Sequence, residues 1–100
     1  MKAYYSDYIA HSVRLYTKVS GDSGVVATLT GASAENYKAC ETVISNLDAG
    51  LKNIILTIYS SGNVNDSINR LSTETGVPTT QLWNRIKAFE KDVARERGLI

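Results

Sequence analysis

The amino-acid sequence predicts an all-α domain of five helices. Apolar residues recur at three- and four-residue spacing in successive segments of the chain, as they do on one face of an α-helix. One stretch, residues 25–31, is β-branched enough for a short strand, but no partner strand is evident. Clusters of glycine, serine and asparagine, together with the only proline, separate the helical segments.

The first helix is predicted over residues 4–19. Its apolar stripe consists of Tyr5, Ile9, Val13 and Tyr16, and the stripe is widened by Tyr8, Leu15 and Val19. Residues 20–24 are a cluster of helix breakers. Residues 25–31 are then expected to form a loop that packs on the core through Val25, Val26 or Leu29.

The second helix is predicted to begin at Ser33, which is suited to an N-cap and has Glu35 in the turn that follows. Its apolar stripe consists of Tyr37, Cys40, Ile44 and Leu47. Asp48 is expected to cap a third helix over residues 49–59. Because that helix has few polar positions, it is predicted to be the central and most buried one. Its large apolar residues are Leu51, Ile54, Ile55, Leu56 and Ile58.

A turn is predicted over residues 60–63, and a fourth helix follows with Val64, Ile68 and Leu71 on its apolar stripe. Gly76 suits the left-handed residue that ends many helices. The fifth helix is expected to open near Pro78 and to run to about residue 97, where Gly98 stops it. Its apolar stripe consists of Leu82, Ile86, Phe89 and Val93.

The length and composition predict one globular domain over residues 1–100. Residues 1–47 would supply the N-terminal helices and the loop, and residues 48–97 the C-terminal helices. A hydrophobic content of 43% and a charged content of 21% are ordinary for such a domain. The net charge of +1 neither requires nor excludes a nucleic-acid partner. Both ends of the chain are mildly basic and the middle is acidic, which is weak support for DNA binding.

No chemistry of an enzyme or a cofactor site is evident in the sequence. The single cysteine, Cys40, and the single histidine, His11, are far apart in sequence, and no cluster of further metal ligands accompanies them. Residues 20–24 lack the lysine and the strand context of a phosphate-binding loop. We therefore expect no catalytic activity, metal, cofactor or small-molecule substrate. With no signal-peptide core and no apolar run of about 20 residues, a cytoplasmic location without membrane contact is expected.

The segment from Leu71 to Ile86 has the layout of a helix-turn-helix, in which a second helix can enter the DNA major groove. Small Ser72 would allow the two helices to approach closely, and Val77 with Leu82 would fix the angle between them. The outer face of the second helix carries amide, hydroxyl and amine groups that can bond base edges. Base contacts are predicted for Thr80, Gln81, Asn84 and Lys87, and contacts to the DNA backbone for Arg85 and Lys91.

With these residues in view, the region from Leu47 to Lys91 resembles region 4 of bacterial RNA polymerase sigma factors and small sigma-like regulators of phages or mobile elements. The resemblance implies a buried helix followed by a helix-turn-helix that binds the promoter. The sequence departs from the family at residues 49–52, where a charged run is usual, and at Pro78, where a serine or threonine cap is common. It also has no segment that resembles the promoter-melting region, so a complete sigma factor is not expected.

Two functional hypotheses stay open from the sequence. The first is a small transcriptional regulator that binds double-stranded DNA through this helix-turn-helix. The second is a protein-interaction module, either a homodimer or an adaptor on RNA polymerase, which the weak net charge and the large apolar residues of the first helix favour. Trp83 is expected to cover the edge of the core, with an exposed anchor for a partner as the alternative.

Overall fold

The computed structural model describes residues 4–60 and 63–100, in which all regular structure is α-helical. The all-α prediction is therefore confirmed for these residues. The helices, in chain order, are α1 (Ser6–Val19), α2 (Ser23–Thr28), α3 (Gly31–Ser45), α4 (Ala49–Ser60), α5 (Val64–Thr75) and α6 (Thr79–Arg97). The predicted turn over residues 60–63 includes Ser61 and Gly62, which lie outside the described residues.

One hydrophobic core joins the two halves of the chain. Helix α1 packs against α3, α4 and α6, and α6 also packs against α3 and α5. The Cα radius of gyration of 13.3 Å agrees with the value of about 13 Å for a folded domain of this length. The large apolar side chains of the core are Ile9, Val13, Tyr16, Ile44, Ile55, Ile58, Tyr59, Ile68, Leu82, Ile86, Phe89 and Val93.

The predicted count of five helices is wrong, because residues 23–28 form the short helix α2 where the sequence predicts a loop. The side chain of Asp22 accepts a hydrogen bond from the Val25 amide at 3.2 Å and so caps this helix. Helix α2 buries none of its residues, and Val25 is 40% exposed. Helix α2 therefore has a capping residue but no apolar stripe, and for this reason the spacing of apolar residues does not predict it.

The predicted N-cap at Ser33 is also wrong, because the N-cap of α3 lies three residues earlier. Thr30 is the N-cap, with an extended backbone, and its side chain makes no capping hydrogen bond. Gly31 has a φ of +59°, a conformation that glycine adopts without steric cost and that lets the chain enter the helix at this point. Ser33 therefore lies inside the helix and is exposed.

Helix α4 is capped by Asp48, whose Oδ1 accepts a hydrogen bond from the Leu51 amide at 2.9 Å, but it is not the most buried helix. It packs chiefly against α1 and α5. Ile55, Ile58 and Tyr59 face these neighbours and are buried, whereas its other large apolar side chains are only partly buried. Helices α1 and α6 each bury more residues, because each contacts more of the other helices.

The stripe predicted for the first helix needs two corrections: Leu15 is only partly buried and does not join the core cluster, and Tyr8 is exposed. Ile9, Val13 and Tyr16 are buried as expected. Tyr8 is 43% exposed, and its hydroxyl oxygen accepts a hydrogen bond from Asn36 Nδ2 at 2.9 Å. Tyr8 therefore ties the surface of α1 to α3 rather than contributing to the core.

The junction between α5 and α6 is a turn of three residues, 76–78. Gly76 ends α5 in the left-handed conformation with a φ of 76°, as predicted, and its amide donates to the Ser72 carbonyl at 2.9 Å. Pro78 is the N-cap of α6. The left-handed Gly76 thus ends α5, and Pro78 begins α6 two residues later.

Replacing Gly76 with alanine is expected to lower the free energy of unfolding by about 1–2 kcal/mol, the cost of a left-handed conformation for a residue with a Cβ. The added Cβ would meet no atom within 4 Å, so the effect is one of backbone strain alone. Urea denaturation measures it. Gly21→Ala is the matched control, since that Cβ also has open space and its φ is not positive. Equal losses in both variants would contradict the strain argument.

Candidate nucleic-acid interface

The residues predicted to contact DNA lie on the solvent side of α6, except Arg85, which is exposed on the flank of the helix. On the opposite side, the Leu82, Ile86, Phe89 and Val93 side chains are at most 3% exposed and hold the helix against the core. Helix α6 therefore has one anchored face and one face open to solvent. The exposed predicted residues are Thr80, Gln81, Asn84, Arg85, Lys87 and Lys91.

Four of these residues form a narrow row along the solvent side of the helix, which is called the outer row of α6 below. At 100° per residue, Thr80, Asn84, Lys87 and Lys91 fall within a sector of about 60°. The row is about 16 Å long at a rise of 1.5 Å per residue. Its first half carries neutral hydroxyl and amide groups, and its second half carries ammonium groups. Such a row offers both base-reading groups and phosphate-binding groups on one surface.

The α5–α6 junction is held by a hydrogen bond that sequence reasoning missed. The Ser72 hydroxyl donates to the Val77 carbonyl at 2.6 Å, which ties the last turn of α5 to the residue before Pro78. Val77 itself is partly buried against the core. The sequence suggested only that Ser72 is small, although serine near the end of a helix is suited to local bonds with the backbone. The bond helps to fix where the outer row of α6 begins.

The positive charge available on α6 is smaller than its count of basic residues. Arg95 pairs with Asp92 at 3.5 Å, and Arg97 pairs with Glu35 of α3 at 3.3 Å. The Nε of Arg97 also donates to Asn36 at 2.6 Å. Three cations of α6 have no acidic partner within the described part of the chain, and these are Arg85, Lys87 and Lys91. All three belong to the predicted interface.

A buried polar cluster beneath α6 was not found from the sequence. Glu90 is only 7% exposed and accepts hydrogen bonds from the Ser6 hydroxyl at 2.7 Å and the Tyr59 hydroxyl at 2.6 Å. Burial, and then the nearby Glu90 carboxylate, raise the pKa of Tyr59, so its hydroxyl stays a proton donor. The cluster links α1, α4 and α6. The sequence contained one indication of this burial. Glu90 lies four residues after Ile86 and three before Val93, so it is a neighbour of both buried side chains on the helix surface.

The single cysteine has the environment of a structural residue. Cys40 is fully buried, and this burial raises the pKa of its thiol to about 12. Since the thiolate is the reactive form, the thiol is a poor nucleophile at neutral pH. His11, the other candidate for such chemistry, is exposed on α1. Over residues 4–60 and 63–100, no group of three or more potential metal ligands comes together.

Trp83 lies on the flank of α6, between its buried and exposed faces. It is partly buried and packs against the core, as expected for a side chain that covers the core edge. It also borders a cavity whose other wall is formed by α1. Trp83 therefore contributes to the contact region between α1 and α6.

Comparisons with protein families, with curated proteins and with solved structures find no match for this chain. The candidate interface therefore depends on the residues of α6 and on the α5–α6 junction alone. Within the described ranges, no helix combines the length and the apolar character that crossing a membrane requires.

Proposed function

We propose that this protein is a small DNA-binding transcriptional regulator in which α5, residues 76–78 and α6 act as a helix-turn-helix of the sigma-region-4 type. The observation that carries the proposal is the outer row of α6. This row consists of exposed hydrogen-bonding and basic side chains, and it lies opposite the buried stripe of α6. The helix that carries it follows the turn at Gly76, which has a left-handed conformation.

The roles follow from the chemistry of the side chains. Asn84 and Gln81 can bond an adenine edge through two hydrogen bonds, and Thr80 can contact a base or a thymine methyl group. Lys87 can bond guanine. Arg85 and Lys91 would contact phosphates on either side of the groove and so fix the register of the helix on the duplex.

The small number of basic side chains predicts weak binding by one copy of the chain. Even if Lys87 met a phosphate instead of a base, the three contacts from Arg85, Lys87 and Lys91 would correspond to a salt slope of only roughly −2.7 in a plot of log affinity against log salt concentration. Such a slope gives little electrostatic anchoring. A second copy of the chain or RNA polymerase is therefore the partner that would make binding at a promoter stable.

Selection from random duplex DNA at low salt, followed by gel shift, tests this function. The double variant Asn84→Ala with Lys87→Ala is expected to lose the selected sequence preference, since each good base contact is worth about 1–3 kcal/mol of discrimination. Lys91→Ala should instead weaken binding to all sequences and reduce the salt slope by about one.

The matched control is Asn53→Ala with Lys52→Ala, which removes the same residue types from exposed positions of α4. This control should bind DNA like the wild-type protein. If no sequence is enriched, or if both double variants bind equally, α6 is not a DNA-reading helix.

A second candidate function, protein interaction, is favoured by exposed apolar side chains at Tyr4 and at the residues that follow α6. Tyr4 is 80% exposed and Ile100 is 50% exposed, and the Tyr4 hydroxyl donates to the Leu99 carbonyl at 2.6 Å. These side chains offer a contact surface at the C-terminal end of α6. Light scattering that finds a dimer, together with an absence of DNA selection, would favour this function over the first.

A further inference from the structure

A cavity of about 560 Å³ lies between α1, the start of α5 and the Trp83 flank of α6. This volume falls in the range of about 300–1,000 Å³ that is typical of small-molecule sites. Ala10, Val64 and Trp83 give its wall apolar surface, and Arg14 contributes a cation. None of the six residues of the candidate DNA interface lines the cavity.

Arg14 supplies an anion-binding group with one hydrogen-bond donor that the described part of the chain leaves unused. Its Nε is buried and has no hydrogen-bond partner among the described residues. A buried donor without an acceptor costs free energy, and a guanidinium that turns toward an anion in the cavity would gain that acceptor. A neighbouring cavity of about 320 Å³ is also lined by Arg14.

The other charged groups of the wall disfavour an anion with more than one charge. Asp7 and Glu90 also line the cavity. Both oxygens of Glu90 already accept hydrogen bonds, from Ser6 and Tyr59, so this carboxylate is held in place. Fixed negative charges repel a dianion more strongly than a monoanion. The planar guanidinium of arginine matches a carboxylate through two parallel hydrogen bonds.

We propose that this cavity binds a small organic carboxylate. The acid group contacts Arg14, and the apolar part of the ligand packs against Trp83, Ala10 and Val64. This binding does not require that α6 contacts DNA.

Benzoate is a suitable probe, and Trp83, the only tryptophan of the chain, reports binding through its fluorescence. We expect a saturable change in fluorescence for the wild-type protein. Arg14→Gln should weaken benzoate binding by about tenfold or more, because a hydrogen bond between two charged groups is lost. Arg70→Gln is the matched control: Arg70 is exposed on α5, does not line the cavity and should leave the affinity unchanged. Neutral benzamide and doubly charged phenyl phosphate should bind more weakly than benzoate.

Three results would overturn the proposal: equal benzoate affinity in Arg14→Gln and the wild-type protein, benzamide that binds as tightly as benzoate, or phenyl phosphate that binds more tightly. If Arg14→Gln does not fold, NMR of the wild-type protein decides. The Arg14 Nε–H resonance should shift during the benzoate titration, and an unmoved resonance would exclude contact at this group.

Discussion

Replacing Ile55 with alanine is expected to lower the free energy of unfolding by about 2–5 kcal/mol. Ile55 is 1% exposed and belongs to the core that α1, α4 and α6 share. The substitution removes buried apolar surface and leaves a cavity that packed neighbours fill only in part. A loss of this size is a large share of the roughly 5–15 kcal/mol by which small domains are stable. Urea denaturation followed by circular dichroism gives the value.

Ile54→Ala is the matched control for this prediction. Ile54 is the same residue type at the preceding position of α4, but its side chain is only partly buried. Its replacement should cost clearly less than that of Ile55, because the space is closer to solvent and leaves a smaller enclosed cavity. An equal or larger loss for Ile54 would mean that α4 is rotated about its axis relative to the arrangement described above.

Replacing Glu90 with alanine is expected to lower the free energy of unfolding by about 2–4 kcal/mol. The variant leaves the Tyr59 hydroxyl, which is buried, without its acceptor, and an unmade hydrogen bond of this kind costs about 1–3 kcal/mol. Loss of the packed Glu90 side chain adds to this cost. The same denaturation experiment measures the effect. Glu96→Ala, at an exposed position of the same helix, should change the stability by no more than about 0.5 kcal/mol.

A double-mutant cycle separates the hydrogen bond from the packing around it. Tyr59→Phe and Glu90→Gln are each expected to destabilise the protein, and the double variant should lose less than the sum of the two. A coupling energy of about 0.5–3 kcal/mol is typical for residues in direct contact. A coupling near zero would show that Glu90 and Tyr59 contribute independently and that the cluster is not a stabilising unit.

The apolar face of α6 and the turn that precedes it could be predicted from the sequence. The apolar stripe of α6, from Leu82 to Val93, is buried throughout, and the left-handed Gly76 lies at the predicted helix end. The reason is that strict helical spacing and a glycine before a proline are strong local signals. The exposure of the candidate residues Asn84 and Lys87 follows directly, since the helix places them opposite that stripe.

Other features depend on weaker or non-local signals. Helix α2 buries no residue, so no apolar pattern predicts it. The burial of Glu90 requires that hydroxyls from α1 and α4 meet it, and these lie 84 and 31 residues away along the chain. A charged residue beside a buried stripe is usually at the surface, and only the approach of Ser6 and Tyr59 reverses that expectation.

By itself, the sequence determined that this protein is helical, where its long helices lie and which face of the last helix points to solvent. These properties follow from residue spacing and capping within single helices. The tertiary structure decided which helices share the core, how Glu90 is satisfied and that Arg14 borders a cavity. Each of these depends on contacts between distant segments, and the pattern within one helix does not specify which neighbour it will meet.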